Sequence, residues 1–279
     1  MTLHAILILG GVGLVFAVFI ALANRRLWVW ADPRIDAVAS MLPNVNCGAC
    51  GLPGCRVFAE QAVEGRIAPS QCTVGSEGAL RSIADFLGVD VGTAVRRVAR
   101  LQCAGGSDVA ASQAEYRGLG TCAAAASVAG GGKACAWACL GLSDCERVCD
   151  FDAIVMSATG LPVVDPVKCT ACGDCVEACP KDLFTLLPED YHLLVQCKNL
   201  INGDEALEGC SVACTACAKC VQDAAPGLIS VAPGLAVINY DLATLADERA
   251  VARCPTGAIV WLRGGQFVAA PSLAGSGNA

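Results

Sequence analysis

The sequence predicts an α+β protein built in series: a single N-terminal transmembrane helix, a small helical domain carrying four cysteines, and two related modules of short helices and strands. Three observations predict it. Residues 3–23 carry no charge. The 20 cysteines, about 7% of 279 residues, gather in C-x2-C groups that suit metal sites better than a disulfide framework. A cysteine-bearing segment also recurs at a shift of 75 residues. The formal net charge of −7, with no basic run interleaved with aromatics, excludes a nucleic-acid surface. Only His4 and His192 are available as imidazole ligands, which argues against mixed Cys/His zinc sites.

Residues 1–26 form the expected anchor. At 1.5 Å per residue, the uncharged stretch spans roughly 30 Å, one bilayer core. Arg25 and Arg26 follow it and no basic residue precedes it. The positive-inside bias therefore predicts a single pass through the cytoplasmic membrane, with everything after Asn24 on the cytoplasmic side. A cleaved signal peptide is the competing reading, but its basic n-region is missing from "MTLH". Gly10, Gly11 and Gly13 suit close approach of a neighbouring helix.

Residues 27–101 are the helical domain. Within it, "DPRIDAVASMLPNV" places Ile35, Val38 and Met41/Leu42 on one face of a short helix, and residues 77–101 read as two short helices broken near Gly88–Gly92. Residues 102–134, rich in Gly and Ala, read as an irregular connector. Modules over 135–190 and 191–270 follow, then a flexible tail over 271–279.

The strongest chemical signal is "CTACGDCVEACP" at 169–180, a C-x2-C-x2-C-x3-C-P run. Three closely spaced thiolates wrap one face of a [4Fe–4S] cluster, and the cysteine before proline ligates the other cluster of a two-cluster ferredoxin. The upstream partner, "CAWACLGLSDCERVCDFDAI", has Leu142 where that spacing places a cysteine, so Cys135 is expected to supply the missing thiolate. One cluster then takes Cys135, Cys139, Cys145 and Cys179, and the other Cys149, Cys169, Cys172 and Cys175. A buried structural thiol is the alternative role for Cys135.

At the 75-residue shift, Ala224, Thr244, Asp247 and Ala250 occupy the positions of Cys149, Cys169, Cys172 and Cys175. One whole cluster is missing from the second copy. The other keeps Cys214, Cys217, Cys220 and the remote Cys254, with Cys210 either spare or a competing ligand. The N-terminal group, Cys47, Cys50, Cys55 and Cys72, is C-x2-C-x4-C-x16-C. Its Gly48, Gly51 and Gly54 leave room for amides to approach cluster sulfur, which favours [4Fe–4S] over zinc. Four clusters are thus expected from sixteen cysteines. Cys103, Cys122, Cys197 and Cys210 remain over and read as small buried residues.

The motifs "LPNVNCGACGLPGCRVFAE", "GGKACAWACLGLSDCERVCDFDAI" and "KCTACGDCVEACPKDL", joined to an N-terminal span, resemble the B subunits of Rnf complexes, the ion-translocating ferredoxin:NAD oxidoreductases. The resemblance covers nearly the whole chain. It implies two ferredoxin-like modules, the second reduced to one cluster, and a role as an electron wire. Soluble ferredoxin or flavodoxin, membrane lipid and the other membrane and peripheral subunits would be its partners. The coupled Na+ or H+ movement would belong to the complex, since this chain has no dinucleotide loop and no acidic residue in its span. A polyferredoxin subunit of another membrane oxidoreductase and a zinc-binding membrane protein without redox function are the competing readings.

Overall fold

The computed structural model describes residues 2–26 and 32–267, with side chains placed from residue 10 onward. The expected flexible tail over 271–279 lies outside the described residues. Helix α1, Thr2–Arg26, covers the expected anchor. Among the described residues, no helix is long and apolar enough to cross a membrane. The side chains of residues 2–9, which complete the apolar stretch, are outside that description. On the described part, Leu14, Val15, Phe16, Phe19 and Ile20 are all more than 60% exposed.

The helical domain forms from three helices. Helix α2, Pro33–Met41, starts with Pro33 at its first turn, and Asp32 caps it by accepting the Arg34 N–H at 2.9 Å. Helix α3 is Cys55–Val63 and α4 is Glu77–Leu87. Ser76 caps α4 at its start, and Gly88 closes it in the left-handed conformation. Val38, Leu42, Phe58, Ala59, Ala62 and Ile83 make the core between them.

The second helix expected within 77–101 is instead strand β1, Arg97–Leu101. It pairs antiparallel with β4, Phe184–Pro188, from Arg97 opposite Pro188 to Leu101 opposite Phe184. The helical reading fails because sheet pairing and burial of Val98, Ala99 and Leu101 override local propensity. The expected connector contains helix α5, Cys122–Ala126, capped by Thr121.

The repeat is visible in the elements. In the first module come α6 (Asp144–Arg147), β2 (Ile154–Met156), β3 (Pro162–Val164) and α7 (Asp174–Glu177), before β4. The second module opens with β5, Leu193–Val195, and α8, Glu205–Gly209. It continues through α9 (Lys219–Asp223), β6 (Ile229–Ala232), β7 (Leu235–Ile238) and β8 (Ile259–Trp261). Hairpins β2–β3 and β6–β7 correspond, as do the pairs β1–β4 and β5–β8. Leu187, Leu194 and Leu262 join the two modules in a shared apolar cluster.

Candidate metal centres

The structure sorts all 20 cysteines into five groups of four, each lining its own cavity. No cysteine is in a disulfide. Among the described residues, no three Cys, His, Asp or Glu side chains converge on a single-ion site. Tetrahedral zinc needs four sulfurs at about 2.3 Å from one point. Thiols spread around a cavity suit a multi-atom cluster instead.

Cys47, Cys50, Cys55 and Cys72 surround the N-terminal cavity, with Leu42 and Phe58 behind them. Asn46 Oδ1 accepts the Cys55 N–H at 2.9 Å and so fixes the start of α3. A Cβ on Gly54 would fall 2.9 Å from that oxygen, so glycine here accommodates the Asn46 side chain rather than an amide approaching sulfur. Burial pushes the Cys72 thiol up, partly offset by the N–H groups of Gly75 and Val74.

Cys149, Cys169, Cys172 and Cys175 share a cavity walled by Ala99, Ile154 and Leu186. The Ala153 N–H points at Cys149 Sγ at 3.4 Å, and the Ala99 N–H, from β1, at Cys169 Sγ at 3.5 Å. Burial pushes the Cys175 thiol up to about 12.

The neighbouring quartet corrects the sequence reading. Cys139, Cys145 and Cys179 are joined by Cys122, and not by Cys135. Cys122 opens α5 inside the supposed connector and takes the place left by Leu142. Nothing local signals it, because 16 residues lie between Cys122 and Cys139. The thiols of Cys139 and Cys145 are both raised to about 12 by burial.

Cys214, Cys217, Cys220 and Cys254, the four that the repeat groups together, line one cavity of the second module. Burial alone would raise the Cys254 thiol, but the N–H groups of Ile259, Thr256 and Ala258 outweigh it and lower it. The backbone of that turn, after Cys254-Pro255, therefore favours the charged form of the Cys254 thiol. Where the second copy lacks its other four cysteines, 3-10 turns over Tyr240–Leu245 and Glu248–Val251 replace the cysteine loop. Ala250 is buried there, with Ala224, Leu242, Ala246 and Val251 packed around the same core. Apolar side chains fill the space of the missing group.

The fifth cavity was not expected. Cys103, Cys135, Cys197 and Cys210, three of them assigned to no site by sequence spacing, line it together with Gly105 and Asn199. Each comes from a different segment, so no C-x2-C spacing could reveal the group. A signal does exist in the sequence: "VARLQC" and "HLLVQC" are both apolar strands ending in Gln-Cys.

Comparison with known proteins matches residues 42–74 to a family described as "Putative Fe-S cluster" and residues 161–184 to a 4Fe-4S binding domain. The chain is 42% identical over 252 residues to the B subunit of the Na(+)-translocating ferredoxin:NAD(+) oxidoreductase complex of Acetobacterium woodii, covering 90% of this chain and 75% of that protein. It is 34% identical over 257 residues to the B subunit of the ion-translocating oxidoreductase complex of Methanosarcina acetivorans, covering 92% and 97%. It is 34% identical over 250 residues to the B subunit of the proton-translocating ferredoxin:NAD(+) oxidoreductase complex of Clostridium ljungdahlii, covering 89% and 88%.

Proposed function

Because the chain belongs to the family of B subunits of the Rnf ion-translocating ferredoxin:NAD+ oxidoreductase complexes, as an iron–sulfur electron-transfer subunit of such an enzyme, we infer that its five cysteine quartets each hold one [4Fe–4S] cluster. The observation that carries this reading is the division of every cysteine among five separate cavities, four thiols to each. When bound, the clusters supply one-electron redox chemistry, and the protein sets their potential through sulfur hydrogen bonds, burial and distance.

Cys217 is the one cysteine whose residue is exposed, which brings the edge of the Cys214 quartet to the surface. That edge suits exchange with a soluble low-potential carrier of the ferredoxin or flavodoxin class. The 25-residue helix α1, with Arg25 and Arg26 in its last turn, supports a single-pass anchor holding the quartets on the cytoplasmic side. Its exposed Leu14, Phe16 and Phe19 would face lipid or the apolar helices of other subunits.

Anaerobic full-length protein should absorb broadly in the visible and bleach with dithionite or with reduced ferredoxin. A colourless protein holding stoichiometric zinc would overturn the reading. Cys254→Ala should lose about four irons per chain, the content of one cubane. Retention of all iron would remove Cys254 from the ligand set. Deletion of residues 1–26 should move the protein from the membrane to the soluble fraction; unchanged membrane association would contradict the anchor.

A further inference from the structure

The fifth quartet lies at the seam between the two copies of the repeat, and each copy contributes half of it once the first is extended back to β1, the partner of β4. Gln102 donates its N–H to the Leu183 carbonyl at 2.7 Å, and Gln196 donates to the Ala258 carbonyl at 2.7 Å. Leu183 and Ala258 are separated by the 75-residue repeat, so Cys103 and Cys197 are equivalent positions of the two copies. The same repeat relates Cys135 to Cys210. The site therefore has approximate two-fold character, with two ligands from each copy.

Its thiols are connected to a quartet on either side. Cys103 Sγ accepts N–H bonds from Gly105 at 3.4 Å and from Cys139 at 3.5 Å. Cys197 Sγ accepts them from Asn199 at 3.4 Å and from Cys214 at 3.4 Å. Cys139 and Cys214 themselves line the flanking cavities. One residue thus spans each gap, its amide on the seam thiol and its own sulfur on the neighbouring quartet. Chain packing is close here: a Cβ on Gly105 would stand 3.3 Å from Cys210 Sγ and 3.5 Å from Cys103 Sγ. The Ala110–Cys210 bridge also ties the long loop of the first module to the second.

We propose that the Cys103–Cys135–Cys197–Cys210 site is the junction of the wire, a cluster shared by both modules through which electrons cross between them. The proposal rests on the five-cluster reading and adds an order: the Cys169 quartet, the Cys139 quartet, the junction, then the Cys214 quartet. Cys103, Cys135, Cys197 and Cys210 would hold the junction cluster, which would supply one-electron exchange between the reduced centre on one side and the oxidised centre on the other. No bond forms or breaks and no proton moves. The initial reductant is a low-potential soluble carrier of the ferredoxin class.

The test uses Cys197→Ala and Cys135→Ala, each in the full chain purified anaerobically. Each variant should carry about four irons fewer than the parent. In EPR of the fully reduced protein, the Cys214-quartet signal should lose the broadening caused by a neighbouring reduced centre. After mixing with limiting reductant, freeze-quenched samples should show equilibration between modules slowed at least about tenfold, one decade of rate. Unchanged iron in both variants, or lost iron with the Cys214 centre still coupled to the rest, overturns the junction. If neither variant folds, the exposed position decides: Cys217→Ala should narrow the junction signal, and an unchanged signal overturns the proposal. A parent chain without iron would defeat the electron-transfer reading itself, whereas about sixteen irons and indifferent variants would defeat the junction alone.

Discussion

Gln266 is buried, and its amide accepts the Leu101 N–H at 2.9 Å while donating to the Leu101 carbonyl at 2.7 Å. The residue comes from the end of the second module and completes the hydrogen bonding of β1 in the first. Beside it, the buried Arg100 donates to the Gly264 carbonyl at 2.9 Å. Replacing Gln266 with Leu leaves two buried backbone groups unpaired and should destabilise the protein by about 3 kcal/mol. Urea unfolding of the cluster-loaded chain measures it, and a change below about 1 kcal/mol would show that water substitutes for the amide. Thiol titration gives a second prediction at this scale. Cys139, Cys145 and Cys175 are raised from 9.0 to about 12 by burial. Between those values the folded metal-free chain binds more protons than the unfolded one, so its stability falls as pH rises through that window. In the loaded chain the ligands are already thiolates, and the fall should be smaller. Unfolding of both forms between about pH 9 and pH 12 checks this; equal slopes would contradict it.

Among the elements, the β6–β7 hairpin shows how local chemistry sets the module. Its turn, Pro233-Gly234, places glycine at a φ of +79°, and a Cβ there would collide with the Leu200 backbone. Gly234→Ala should cost about 3 kcal/mol, combining left-handed strain with displacement of that segment. Hydrogen exchange in β6 and β7 should accelerate, while exchange in β2 and β3 stays unchanged; uniform behaviour of both hairpins would contradict a local effect. The same scale shows what the sequence made legible. Helix α2 and strands β4 and β8 follow from periodicity and from the apolar runs after Cys179-Pro180 and Cys254-Pro255. Strand β1 does not, because "RVARL" has no alternation of its own and becomes a strand by pairing with β4. The cysteine groups divide in the same way. Closely spaced cysteines such as Cys169, Cys172 and Cys175 are legible locally, and the repeat exposes the remote Cys254. Cys122 and the Cys103 quartet are hidden because tertiary folding alone brings their segments together. The first module has 31 residues between Cys103 and Cys135, against 12 between Cys197 and Cys210, and this unequal spacing masks the equivalence of the two arms.

For the whole molecule, the repeat explains both what was kept and what was lost. Each copy supplies half of a central site and a flanking quartet, and the first copy adds one quartet more. In the second copy, Ala224 and Ala250 turn the vacated volume into apolar core, and Arg253 holds α9 through a bidentate contact with Asp223 at 2.7 Å. One cysteine quartet is thus absent from the second copy without disturbing the row of quartets that remains. The central claim is that this row, with the N-terminal quartet, makes five [4Fe–4S] centres in one electron-carrying chain. Iron and acid-labile sulfide quantified on the anaerobically purified full-length protein test it most directly. Five cubanes predict about twenty irons and about twenty sulfides per chain, and about sixteen or fewer, or zinc in place of iron, would contradict the claim.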